Sequence, residues 1–406
     1  MSFWNTFTAA PHRMMMFAGT VQLVLALLFW TLELGARHLG VPAQFGIVLP
    51  GSWLHGYLML YSLFPYFIFG FLMTTYPRWM NGPLVERPRY IASFLVMAAG
   101  TALVYAGTFA HAALLGIGAL VQAGGWLIGI LELYRVFRAA PSREKTHERY
   151  LNVYLALGGL GMAVFGLGAL LDRPGLIAGA LTLGLWGFVL PLMITVAHRM
   201  LPFFSSTVIK PYRLYNPRWM LAALPALIAG HVLCDAFGLP QWRFVFDVPL
   251  AGIGLTLSVR WGFRRSFQVR LLAILHMAFA WFGIGMTLYA LDSLLLLAGT
   301  GSVLGRAPLH ALGIGLIAGM TIAMASRVTL GHSGRPLVAG TLVWLSCWAL
   351  HLIALLRILG ELPLPVAPLG MPLNLWAALL WLAGVGAWAA RFAPIYVRPR
   401  VDGKPG

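Results

Sequence analysis

The sequence predicts an all-α fold, a polytopic membrane helical bundle of about twelve transmembrane helices with both termini on the cytoplasmic side (N-in/C-in). Three observations predict it. The 406 residues are 60% hydrophobic and 10% charged, with a mean hydropathy of +0.82, too few charges to cover a surface facing water. Apolar runs of spanning length, roughly 20 residues, recur along the whole chain. Lys and Arg collect in alternate gaps between those runs.

The runs fall near residues 15–38, 52–76, 90–109, 111–134, 150–171, 175–198, 218–237, 244–261, 271–297, 307–326, 337–358 and 372–392. The third and fourth are divided only at Thr108–His111, and the eighth is short and carries Asp247. Charge tests the count. With the N-terminus inside, 23 of the 28 Lys and Arg fall in cytoplasmic segments, and only Arg37, Arg173, Arg243, Arg306 and Arg357 lie outside. A miscounted helix would scramble this positive-inside alternation. The outer loops are expected to be short and the first run to be a retained helix, since no charged n-region or small-residue cleavage site marks a signal peptide. Residues 1–406 read as a single transmembrane domain, with 393–406 a flexible, basic cytoplasmic tail near anionic headgroups. The 46 glycines suit close helix contact in lipid. No repeat is asserted; a doubled six-helix plan has little weight.

A net charge of +17 raises nucleic acid as a partner, but the cations are spread between apolar runs rather than gathered in one patch, which excludes it. Cys234 and Cys347 both lie inside apolar runs, and no CxxCH exists. A c-type haem is therefore excluded, whereas a b-type haem or copper held by histidines is not.

Ionisable residues in spanning helices are costly and are functional candidates by default. The topology sorts eleven histidines into two layers. His38, His55, His111, His231, His310 and, deeper, His351 lie toward the outer side. His12, His147, His198, His276 and His332 lie toward the cytoplasm. His55 and His310 each sit in about the first turn of an outside-to-inside helix, the second and the tenth. They share a depth, as two axial ligands of one haem must, and iron bonding needs the neutral ring that a low-dielectric setting favours. The competing reading is an interfacial histidine bonded to a carbonyl or lipid. His276, in the second turn of the ninth helix, His332, in a Gly-flanked loop, and His12, just before the first helix, have depths compatible with one site. His147 reads as solvated, His38 and His111 as interfacial, His231 and His351 as packed, and His198 as a ligand or part of a helix end. Among the acids, Glu33 and Asp292 are proton-relay candidates, while Asp172, Asp235, Asp247 and Glu361 read as interfacial carboxylates paired with Arg.

These residues bring a family into view. The stretch Leu309-His310-Ala311-Leu312 through Met320, Met324 and Arg327 to Leu330-Gly331-His332-Ser333-Gly334-Arg335-Pro336-Leu337 resembles the signature of the NnrS family. Pro11-His12-Arg13, Gly70-Phe71-Leu72 before Pro77-Arg78-Trp79, and Arg199-Met200-Leu201-Pro202-Phe203-Phe204 agree with it. The chain departs where the family's second helix commonly opens HxHE: here it reads Trp53-Leu54-His55-Gly56, and His55 aligns with the second histidine. The resemblance implies a multi-pass protein of the bacterial inner membrane that contains haem and copper and is associated with nitric oxide, denitrification and protection against nitrosative stress. It carries His12, His55, His276, His310 and His332 over as metal ligands. It places Arg13, Arg199, Arg327 and Arg335 at the cytoplasmic edge, where guanidinium groups can pair with haem propionates; the positive-inside rule explains the same arginines without a cofactor.

The leading expectation is a His-ligated metal protein that binds or reduces nitric oxide, supplied by an unidentified electron donor. The rival from another class is a twelve-helix transporter or exporter without metal, for which Pro65 and Pro191 would be mid-membrane helix breaks. A non-catalytic haem or nitric oxide sensor is the third reading.

Overall fold

The structure, a computed structural model, describes residues 2–39, 46–364 and 366–403. The regular elements among them are all helical. Twelve long helices follow in order: α1 (Pro11–Leu39), α2 (Gly51–Trp79), α3 (Arg87–Ala110), α4 (Ala112–Ala139), α5 (Thr146–Leu170), α6 (Pro174–Val208), α7 (Trp219–Ala236), α8 (Phe244–Arg260), α9 (Arg270–Leu297), α10 (Ala307–His332), α11 (Thr341–Leu359) and α12 (Leu373–Val397). Eleven are long and apolar enough to cross a bilayer; α8, at 17 residues, packs along α9. The expected polytopic bundle is what the chain forms.

Two ends differ instructively from expectation. The tenth helix continues through Gly331 and His332, so His332 is a helical residue and not part of a loop. The stop is Gly334, at φ 74°, after which the Arg335 N–H donates back to the Leu330 carbonyl at 3.1 Å. A left-handed glycine with a reversed hydrogen bond ends a helix in this way, and Gly331 lacks that conformation. At the C-terminus, α12 runs to Val397, past the point where the tail was expected to begin. The segment after it is tied to α10: the Val401 N–H donates to Ser333 O at 3.1 Å, and the Arg400 guanidinium to His332 O at 3.0 Å. Residues 404–406 of that tail lie outside the described residues.

Burial divides the helices. The most buried spans are α2 (83%), α9 and α10 (78% each) and α6 (67%), against 33% for α7 and 39% for α11. The peripheral helices turn residues such as Leu131, Val153, Val259 and Leu345 outward, which is where a bilayer supplies the apolar solvent. Helix α12 packs on both α11 and α1, and Trp381 Nε1 donates to Leu23 O at 3.1 Å. The α3–α4 hairpin closes on glycine: a Cβ on Gly107 would stand 2.2 Å from the Leu115 nitrogen, and one on Gly118 2.6 Å from the Val104 nitrogen. Only hydrogen lets those backbones approach.

Three of the four inner helices are not α-helical throughout. Leu58–Leu63 in α2, Leu183–Val189 in α6 and Ala311–Ala318 in α10 wind as π-helix. They recur on every fourth helix. Two have an evident cause. Pro65 and Pro191 follow them, and proline neither donates to nor tolerates the carbonyl four residues back. Those carbonyls belong to Tyr61 and Gly187, inside the π turns. The Tyr61 carbonyl is satisfied instead by the Gln122 side chain from α4. Thus Pro65 and Pro191 mark wide turns within continuous helices.

Candidate metal centre

The three π turns wall one cavity of about 500 Å³. Met59 and Leu60 line it from the first, Leu185 and Trp186 from the second, and Gly313, Ile314 and Ile317 from the third. π turns inside α-helices are frequent at functional sites because the extra residue per turn rotates the side chains that follow. His55, three residues before the first π turn, and His310, immediately before the third, both line this cavity. Two histidines 255 positions apart in sequence therefore reach one space at the outer end of the bundle.

Their settings differ. The His310 Nδ1 lies 2.9 Å from the Arg306 carbonyl one turn earlier. In the tautomer that donates this bond, Nε2 keeps the lone pair; a backbone carbonyl on the other nitrogen orients metal-bound histidines in this way. Arg357 Nη2 stands 3.4 Å from both ring nitrogens of His310, so it addresses the ring as a whole rather than one lone pair. His55 stacks on Trp30, with ring centres 4.3 Å apart and planes 14° from parallel. Its Nδ1 is buried and has no hydrogen-bond partner among the described residues. That alone does not single it out, because a ring nitrogen of His12, His231, His276 and His351 is also buried without a partner. The shared cavity does.

On the cytoplasmic side the His12 and His332 rings come together, with centroids 4.8 Å apart and planes tilted by 44°. His276 makes a different contact: its Nε2 lies 2.9 Å from Ser205 Oγ on α6. Among the described residues, no three His, Cys, Asp or Glu converge as a metal cage.

The four arginines expected beside propionates hold other positions and do not line the outer cavity. Arg13 donates to the carbonyls of Tyr396 (3.1 Å) and Arg398 (2.8 Å), joining α1 to the end of α12. Arg199 pairs with the buried Glu148 at 3.0 Å and lies over Trp79. The Arg327 guanidinium lies over the Phe204 ring at 3.9 Å. For Arg335, outside the spanning segment, burial and then repulsion from Arg391 and Arg398 lower the pKa. The arginines that do line the cavity are Arg306 and Arg357, two of the five counted above as the topological minority.

Several polar groups pair unexpectedly. His147 is half-buried, its Nε2 3.0 Å from His198 Nδ1, and is not simply solvated. His231 and Asp247, both fully buried, pair at 2.6 Å, with Trp186 against the His231 ring; a packed histidine and an Arg-bound carboxylate were expected there. Asp235 and Glu361 pair with Arg243 and Arg357 as expected, and the relay candidates Glu33 and Asp292 are held by arginine as well, Arg37 and Arg243 respectively. The Glu33–Arg37 pair is an i,i+4 spacing readable in the sequence, whereas the His147–His198, His231–Asp247 and Arg243–Asp292 pairs depend on which helices become neighbours. His111 behaves as a helix end should, accepting the Ala113 N–H at 3.1 Å to cap α4.

A family model described as NnrS protein matches residues 6–400. No curated protein matches the chain. The match spans nearly every residue of the bundle, from the short helical turn Phe3–Phe7 to the segment that ties Arg400 to His332. Matched over nearly its whole length and folded as a twelve-helix bundle, this multi-pass helical protein of the bacterial inner membrane belongs to the NnrS family.

Proposed function

We propose that the outer cavity holds a b-type haem, with His55 and His310 as the residues that would hold its iron, and that the protein acts in nitric oxide metabolism or nitrosative-stress protection. Family membership links the chain to haem, copper and nitric oxide biology. One observation carries the finer reading: imidazoles from α2 and α10 reach a single apolar cavity of about 500 Å³, within the range that accommodates a large organic ligand. The donor set fits a group that needs two axial nitrogens, and the buried, unpartnered His55 Nδ1 is consistent with it. When bound, the haem would supply an iron that exchanges electrons and can take a diatomic ligand where one of the two histidines gives way.

The chain's own residues do the rest. His310, fixed by the Arg306 carbonyl, is the firm ligand. His55, stacked on Trp30 and with its buried Nδ1 unpartnered, would be the less firmly held of the two. Leu185, Ile314 and Ile317 exclude water, and Trp186 and Tyr289 close the wall toward the His231–Asp247 pair. His12 and His332 form the proposed inner site, two imidazole donors suited to copper. An electron donor of unidentified class would reduce the centre.

The test is an optical spectrum with metal analysis on protein purified from a haem-replete host. A Soret band that shifts when nitric oxide meets the reduced protein supports the reading. A colourless, copper-free preparation overturns it in favour of a metal-free transporter. A shift without consumption of nitric oxide identifies a sensor.

A further inference from the structure

We propose that Arg306 and Arg357 anchor the carboxylates of the cofactor in the outer cavity, so that its acidic edge faces the outer side of the membrane. This rests on the haem reading above. Both side chains line the cavity with His55 and His310, Arg306 from one turn before His310 and Arg357 from the last turn of α11.

The charge at this rim does not balance. Arg357 pairs with Glu361 at 2.6 Å. The other oxygen of Glu361 accepts the backbone N–H of Arg306 at 3.2 Å. One carboxylate thus fixes both segments, yet it neutralises only one guanidinium. The Arg306 side chain has no carboxylate within ion-pair distance among the described residues, whereas Arg37 and Arg243 on the same side have theirs; Arg173 also has none, but it is exposed and does not line the cavity. A cation at the edge of an apolar cavity, on the side of the membrane where the positive-inside rule disfavours it, calls for an anion. The Arg306 guanidinium is free to take one carboxylate in a two-point hydrogen bond, and Arg357, whose Nη2 is held by Glu361, has N–H groups left for a second. Ser52 and Asn374 add neutral polar lining.

The experiment uses full-length protein in detergent, prepared without haem and titrated with protohaem and, separately, with its dimethyl ester, following the Soret band. The wild type is expected to bind the diacid about tenfold or more tightly than the ester, the scale of hydrogen bonds to charged groups. Arg306→Gln and Arg357→Gln each shrink that ratio, the double variant removes it, and Arg357→Lys restores part of it, while affinity for the ester stays at the wild-type value. A lesion of the fold would weaken both ligands together, and that outcome overturns the anchoring role. Equal binding of diacid and ester by the wild type overturns it as well, leaving the haem reading intact. Failure of the wild type to bind either porphyrin sinks both.

Discussion

The outer and inner histidine pairs use the same residue type in similar terminal turns, and the helices around them make them unlike. His55 and His310 precede π turns and face a cavity of about 500 Å³. His12 sits in the regular first turn of α1 and His332 in the last turn of α10, and their rings meet at 4.8 Å. Two imidazoles on opposite faces of one iron hold their nitrogens about 4 Å apart, given metal–nitrogen bonds of about 2 Å, with ring centres further still. On the proposed reading the outer cavity would admit a large planar group between its two rings, whereas rings as close as those of His12 and His332 would not. On the same reading the inner pair would hold a small ion, beside the His332 carbonyl that takes the Arg400 guanidinium. On that reading helix winding, more than histidine content, sets which cofactor each end of the bundle could hold.

The sharpest way to break this comparison is to remove one ring from each pair. His310→Ala should lower haem content by about ten- to a hundredfold, the usual cost of losing a metal's held ligand environment, read as Soret absorbance per protein. His55→Ala should cost less and leave a centre that binds nitric oxide more readily, because the ring fixed by the Arg306 carbonyl remains. His12→Ala and His332→Ala should leave the Soret band in place and lower copper content. Equal loss of the Soret band from outer and inner variants would erase the distinction. A smaller effect is expected from Trp30→Leu. Loss of the ring stacked at 4.3 Å on His55 removes about 0.5–1.5 kcal/mol, a two- to tenfold weakening of haem binding, with copper unchanged.

The bundle was legible because lipid imposes a coarse rule. Run length and the alternation of 23 inner against five outer cations placed twelve helices, and the described ends lie within a few residues of most of them. The candidate histidines were legible as polar residues in apolar runs. What surrounds them was not. Pro65 and Pro191 are visible in sequence, but a proline can kink, end or widen a helix; the Gln122 side chain beside the orphaned Tyr61 carbonyl favours widening here. The π turn in α10 has no proline after it and only Gly313, Gly315 and Gly319 to hint at it. Arg306 and Arg357 were passed over because, by topology, they were exceptions to the charge rule, and an exception carries meaning only once a cavity is seen beside it. Pairings such as His231 with Asp247 join α7 to α8 through side-chain geometry that periodicity does not encode.

The smallest expected effect concerns His276, which the resemblance groups with His12 and His332. Its ring bonds Ser205 on α6, and no contact joins it to the other two among those described. Replacing it with glutamine keeps a polar group able to reach the Ser205 hydroxyl, so the cost is at most one altered hydrogen bond, about 0.5–1.5 kcal/mol of stability. Thermal unfolding in detergent should show a drop of a few degrees at most, with Soret absorbance and copper content both at the wild-type level. A copper loss matching that of His12→Ala would mean that α9 moves to bring a third imidazole to the inner pair when metal binds. The inner site would then be a three-histidine centre assembled by its ion, and the contrast with the outer cavity would become one of preformed against metal-induced geometry.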